Sequence, residues 1–346
     1  MSIQSLILLL FIGLMAGRVS SVWAVALIDE SIRAGLRRCV SCKQPFSSLR
    51  QLFLWYPGIR CPSCKASDRL WPFWSALVIS VMFAGFGWLL LEQGCQSVAE
   101  VQPSQPLWQN RLTFHLVFIF LLATATITDY LDYSIFDSVV VRGALLAMIA
   151  ATLSGELQLI HVWVDWSYDN MPVSSPHDPT VTVPHFGPYL PEWMKGHQHL
   201  HGLIWSLSGA VAGAGLMWIA RVASRLILGI PAIGFGDVTL MAMIGAFLGW
   251  QPTLCALAIA PLVGLILGLG GRIFTGRAFV AFGPYLCIAA FLVLCTWGYL
   301  WEGCRLRLVF SHWPTIAGMV SGAFAAFCIL LVGLRLFRET PAAKLR

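Results

Sequence analysis

The sequence predicts an all-α fold, a polytopic transmembrane helical bundle of about eight or nine spans. Three observations carry this reading. Of 346 residues, 58% are hydrophobic and 11% charged, with mean hydropathy +0.76, against about 25% charged residues in an ordinary soluble domain. Apolar stretches of about 17 to 25 residues, the length needed to cross the hydrocarbon core, recur along the chain. Lysine and arginine collect in a few short connections instead of being spread over a surface.

The expected spans are 4–28, 71–91, 112–129, 138–154, 201–222, 238–250, 253–271, 279–299 and 315–335. The first has no basic residues before it and no small-residue cleavage site after it, so it reads as a retained anchor. The sixth is short. It either tilts or joins the seventh as a hairpin turning at Gln251-Pro252. The chain therefore divides into a first span (1–28), a cysteine-bearing loop (29–70), spans 71–153, a polar insertion (154–200), and the remaining spans (201–346).

Orientation follows from the positive-inside rule. The 29–70 loop carries Arg33, Arg37, Arg38, Lys43, Arg50, Arg60, Lys65 and Arg69 against Asp29, Glu30 and Asp68, which makes it cytoplasmic. With nine crossings, Arg221 and Arg225, Arg272 and Arg277, and the basic C-terminal residues share its side. Arg305 and Arg307 fall on the other, against the rule. The net charge of +6 is thus an orientation signal, and the expected partner is the lipid bilayer, not nucleic acid.

Four of the ten cysteines are arranged. Cys39-Val40-Ser41-Cys42 and Cys61-Pro62-Ser63-Cys64 form two C-x-x-C knuckles, the spacing of a tetrahedral, structural zinc site in a small zinc-ribbon-like loop. Two intervening residues let both sulfurs of a knuckle face one ion. Two disulfides are the competing reading, and a cytoplasmic location disfavours them.

Acids at the edge of a membrane span are costly and so are functional candidates. Asp129 closes the third span, Asp137 precedes the fourth, and Asp237 ends Gly234-Phe235-Gly236-Asp237 at the start of the sixth. Counting crossings from the basic loop puts Asp129 and Asp237 on one membrane face. Gly234 and Gly236 permit unusual backbone angles and close approach of another chain. Two neighbouring carboxylates do not both ionise cheaply, so the pair shares a proton. One member can then activate water while the other assists the carbonyl and leaving group.

In order and content these features resemble the prepilin peptidases, also called type IV leader peptidases. Gly13-Leu14-Met15-Ala16-Gly17 looks like the opening segment of that family, followed by the two C-x-x-C pairs. Asp129 with Asp137 is similar to its I-D-x-x-x-x-x-L-P-D segment, Asp237 to its G-x-G-D-x-K-L, and Phe282-Gly283-Pro284-Tyr285-Leu286 to its P-F-G-P-x-L. The resemblance implies an aspartic endopeptidase of the bacterial inner membrane, with Asp129 and Asp237 catalytic and Asp137, Gly234 and Gly236 supporting. It would cut leaders from type IV prepilins or type II secretion pseudopilins at the cytoplasmic face. Many relatives then methylate the new N-terminus with S-adenosylmethionine.

Thr239 replaces the usual Lys, Phe136 the Pro of L-P-D, and Arg18 to Ser21 the usual S-F-L-N. These departures leave the aspartate pair intact and leave methylation and the fine substrate contacts open. Two other functions compete. A presenilin-like or signal-peptide-peptidase-like protease shares G-x-G-D but has Tyr before its first aspartate, where this chain has Thr128. An ion-coupled transporter would hold its acids near the bilayer midplane.

The 154–200 insertion is rich in proline and histidine and reads as an extracytoplasmic loop. His197, His199 and His201 alternate, so a strand there would put three imidazoles on one face, an arrangement open to a metal. Irregular loop and interfacial histidines are the commoner reading.

Overall fold

A computed structural model describes residues 2–28, 71–101, 105–166, 168–172, 182–186, 190–230, 232–275 and 282–339. The two C-x-x-C knuckles lie outside the described residues. The helices are α1 (Ile3–Leu27), α2 (Trp71–Leu91), α3 (Gln105–Asp132), α4 (Asp137–Ser154), α5 (Glu192–Gly196), α6 (Gln198–Leu228), α7 (Phe235–Leu248), α8 (Trp250–Thr275) and α9 (Gly283–Gly298). A π-helical turn (Tyr299–Gly303), α10 (Leu306–Ser311) and α11 (Trp313–Glu339) follow.

Among the described residues, eight helices are long and apolar enough to cross a membrane, and α7 is a shorter apolar helix. This is the multi-pass all-α architecture that the composition predicts. One small sheet departs from it. Strands β1 (Tyr168–Pro172) and β2 (Thr182–Phe186) pair antiparallel inside the insertion. Gln198 already begins α6, so His199 and His201 are helical and the strand-like row of three histidines does not form. His199 meets the Thr152 carbonyl through Nδ1 at 2.8 Å. Buried His201 instead accepts the Val162 N–H at 3.2 Å.

Helices in lipid gain no hydrophobic advantage from each other, so close approach through small residues and hydrogen bonds holds them together. Gly13 and Gly17 serve this between α1 and α2. A β-carbon on Gly13 would lie 2.7 Å from Ser80 Cα, and one on Gly17 2.5 Å from Ala76 Cα. The Ser80 hydroxyl donates to the Leu10 carbonyl at 2.7 Å, and Ser20 pairs with Thr124 of α3 at 2.9 Å. The glycine pair of the opening segment is thus a packing device.

The same chemistry centres α7. Gly209 and Gly213 of α6 face the backbone at Gly245 and Met241 so closely that no side chain fits, and the Ser206 hydroxyl donates to the Ala246 carbonyl at 2.7 Å. From Asp237 to Leu248 nearly every α7 residue is buried. Fourteen residues rise roughly 21 Å, short of a full crossing of about 30 Å. The chain breaks at Gly249, φ +80°, against Trp205, two residues before the expected Gln251-Pro252 turn. Beyond the break, the 155–166 segment packs against the start of α8. Its Val162 carbonyl accepts from Trp250 Nε1 (2.7 Å), and its His161 carbonyl from Gln251 Nε2 (2.9 Å).

This end of the bundle also accounts for Arg307, one of the two charges that fit the orientation rule badly. Its guanidinium pairs with Glu302 at 2.6 Å and lies 4.5 Å above the Trp166 ring. A charge neutralised within the protein carries little topological weight.

Candidate active site

The third and seventh helices each deliver one carboxyl to the opposite end of the bundle. Asp129 lies in the last turn of α3, which Tyr133 terminates with a left-handed backbone (φ 50°) and an N–H bonded to the Asp129 carbonyl at 3.0 Å. Asp237 is the third residue of α7. There its Oδ2 accepts the Gly234 N–H at 3.1 Å, satisfying one of the unpaired donors at the helix start and placing negative charge where the helix dipole favours it. Asp129 and Asp237 are 5% and 9% exposed. Both are largely desolvated yet reachable, and the two carboxyls interact electrostatically.

Glycines make this convergence possible. A β-carbon on Gly236 would lie 2.8 Å from the Ile135 β-carbon, and one on Gly234 3.1 Å from Asp237 Oδ2. At the start of α9, Gly283 turns its N–H toward the Asp129 carboxyl, and a β-carbon there would run into Asp129 Oδ2. Ile135 touches both the Gly236 and Gly283 positions, so it forms the wedge between the α3–α4 connection and the two glycine segments.

The structure brings together four of the sequence-predicted residues: Asp129, Asp237, Gly234 and Gly236. Asp137 stands apart. It is exposed in the first turn of α4, where it faces the helix N-terminus, and makes no hydrogen bond or ion pair with either aspartate among the described residues.

Three further residues join the site. Arg221 of α6 donates to the Ile233 carbonyl, and its charge acts on Asp237. Cys287 is buried one turn into α9, bonded to the Thr126 side chain and within electrostatic reach of both aspartates. Ile135 is the third. Arg221 had a signal in the sequence, since a cation inside an apolar span is a functional candidate. Ile135 and Cys287 had none beyond being apolar neighbours of the motifs.

Chemically, the site offers two carboxyls that share an environment, a backbone N–H aimed at each, and a guanidinium bound to the peptide unit that donates to Asp237. That set suits proton transfer to and from a polarised carbonyl.

Residues 189–269 match the type IV leader peptidase family. The chain is 39% identical over 93 residues to the prepilin leader peptidase/N-methyltransferase of Aeromonas salmonicida, covering 26% of this chain and 32% of that protein. With the protein of the same name from Pseudomonas aeruginosa it shares 38% over 96 residues, 27% of this chain and 33% of the relative. With that of Neisseria gonorrhoeae it shares 31% over 125 residues, 33% and 43%. The matched stretch thus spans about a third of the length of these curated relatives. No solved structure matches significantly. The family match contains Asp237 and its glycines and stops short of Gly283, while Asp129 precedes it. The stretch that builds α6, α7 and most of α8 around Asp237 is therefore the part of the chain that is similar to the type IV leader peptidases, the family that the motifs resemble.

Proposed function

We propose that this chain is a membrane aspartic endopeptidase that removes the leader from type IV prepilins or type II secretion pseudopilins at the cytoplasmic face of a bacterial inner membrane. The observation that carries this is the meeting of Asp129 and Asp237 from separate helices, each held by a backbone N–H, at one end of the bundle. One carboxylate takes a proton from water as the oxygen attacks the scissile carbonyl. The other, protonated, hydrogen-bonds the carbonyl oxygen, and the leaving nitrogen is then protonated within the site.

The location of the acids argues against an ion-coupled transporter. They occupy a helix end and a helix start, not the interior of broken spans. The presenilin-like reading keeps only the G-x-G-D it shares.

The relatives' name also includes an N-methyltransferase. In this reading S-adenosylmethionine would be its methyl donor, and the departures at Arg18 to Ser21 and at Thr239 leave the aspartate pair intact. The loop with Cys39, Cys42, Cys61 and Cys64 would hold a structural zinc, since four thiolates suit Zn²⁺ and leave no open position for water.

The test is cleavage of a prepilin or pseudopilin from the same cell by membranes containing the full chain. Wild type should cut it, and Asp129→Asn and Asp237→Asn should each be inactive. Full activity in either variant overturns the site assignment. Labelled S-adenosylmethionine in the same assay decides methylation.

A further inference from the structure

We propose that Arg221 is a positioning residue that divides the labour of the aspartate pair: it holds Asp237 in the ionised form that activates water, and leaves the shared proton on Asp129. The proposal rests on the aspartic-peptidase reading of this site.

The glycine contact between α6 and α7 carries the C-terminal part of α6 alongside the start of α7. Two residues there fasten the turn before Asp237. Arg221 Nη1 donates to the Ile233 carbonyl, and the Ser224 hydroxyl accepts the Ala232 N–H at 3.1 Å. Gly234, the next residue after Ile233, donates its N–H to Asp237 Oδ2. A short chain of backbone contacts thus joins the guanidinium to the carboxylate it influences. Among the described residues, Arg221 on α6, Asp129 on α3 and Cys287 on α9 are the charged or titratable groups that interact with Asp237.

The two aspartates are not in equivalent surroundings. Asp237 has a cation and a backbone donor. Asp129 has the Gly283 N–H and the like charge of Asp237. The Ile233 carbonyl that Arg221 binds and the Gly234 N–H that Asp237 binds belong to one peptide unit, so the guanidinium strengthens the donor to Asp237. A hydrogen bond to the charged form favours it and a like charge disfavours it, so the single proton of the pair belongs on Asp129. Position 239, where the family pattern has Lys, is Thr here, and its hydroxyl turns back to the Gly236 carbonyl at 3.1 Å. Arg221 supplies the positive charge that position 239 lacks.

The step balances. Water gives its proton to the Asp237 carboxylate as its oxygen bonds to the scissile carbon, while the Asp129 proton moves to the carbonyl oxygen. Collapse returns that proton to Asp129, breaks the C–N bond and delivers the Asp237 proton to the leaving amine. Peptide and water become acid and amine, and the pair is restored.

Two measurements on the full-length protein test this. The first is the pH dependence of prepilin cleavage for wild type, Arg221→Gln, Arg221→Lys and the double variant Arg221→Gln/Thr239→Lys. Removing the cation should move the acidic limb of kcat/KM upward, costing about tenfold at the low-pH side and much less at high pH. Arg221→Lys should restore the profile, and Thr239→Lys should restore part of it. An equal loss at every pH without rescue by Lys, or no change at all, overturns the proposal.

The second needs no substrate, so it decides even if the chain cleaves no prepilin. It is the infrared band of a protonated carboxyl near neutral pH. The band should vanish in Asp129→Asn, whereas in Asp237→Asn, which removes the like charge but not the burial, it should persist with its loss moved to lower pH. The reverse result assigns the proton to Asp237 and overturns the proposal.

Discussion

Gly283 and Asp129 are in direct opposition: the glycine backbone faces the carboxyl so closely that any β-carbon would collide with Oδ2. The contact links α9 to α3 and fixes the orientation of one catalytic candidate. Replacing Gly283 with Ala would rotate the carboxyl away without opening a cavity. Displacements of about 1 Å at reacting groups cost on the order of 100-fold. Gly283→Ala should therefore lower prepilin cleavage by about that factor while leaving the thermal midpoint of the purified protein close to wild type. A Gly283→Ala enzyme with wild-type turnover would show that this glycine does not position the acid.

Ile135 and Gly236 form a second opposition, and here the obstructing atom is a β-branched side chain with little freedom. Gly236→Ala should destabilise by about 1 to 3 kcal/mol through overpacking. Ile135→Gly, the change that removes the obstructing β-carbon, should destabilise as well, through the space it leaves and the freer backbone. Together the two changes should cost less than their sum, because each relieves the other. A double-mutant cycle on thermal unfolding measures this coupling, and strict additivity would mean that the two residues do not meet.

How far the sequence reveals this arrangement depends on the kind of interaction. The spans were legible because every crossing must satisfy its own backbone, which forces long apolar helices; the expected 138–154 span is the helix Asp137–Ser154 nearly to the residue. Asp129 and Asp237 were legible because acids are rare in such a chain; the G-x-G was legible only through its place beside Asp237, since the same spacing recurs at Gly85 and Gly87, Gly213 and Gly215, and Gly268 and Gly270. The break falls at Gly249, two residues before the expected Gln251-Pro252 turn, because proline is tolerated in the first turn of a helix whereas Gly249 adopts a positive φ. Arg221 is legible as a cation at the end of an apolar span, but its partner, the Ile233 carbonyl, depends on the α6–α7 contact, which no local pattern encodes. The hairpin in the insertion likewise arises from pairing between Tyr168–Pro172 and Thr182–Phe186, which alternation alone did not announce.

The proposed zinc site makes its own demand. Purified protein should carry about one zinc per chain, the stoichiometry of a closed four-thiolate site. Cys39→Ser or Cys61→Ser should lose it. Elemental analysis with thiol alkylation under native conditions checks this, and four freely reactive thiols with no bound metal would remove the site.

At the far end of the bundle, Glu100 makes stability depend on pH. Its Oε1 accepts from both Trp166 Nε1 (2.6 Å) and Trp301 Nε1 (2.8 Å), whereas Oε2 is buried without a partner among the described residues. Burial pushes the carboxyl above its ordinary value of 4.5, against the pull of the two indole donors, and nearby Glu302 adds to the rise. A carboxyl raised in the folded state binds more protons there than in the unfolded chain. Its contribution to stability is therefore most favourable below about 4.5, falls as pH climbs toward the raised value, and is flat beyond. Gln keeps the acceptor oxygen and removes the charge. Relative to wild type, Glu100→Gln should thus gain in thermal midpoint more at pH 7.5 than at pH 4.5. An offset that is the same at both values would mean that Glu100 enters the fold already ionised.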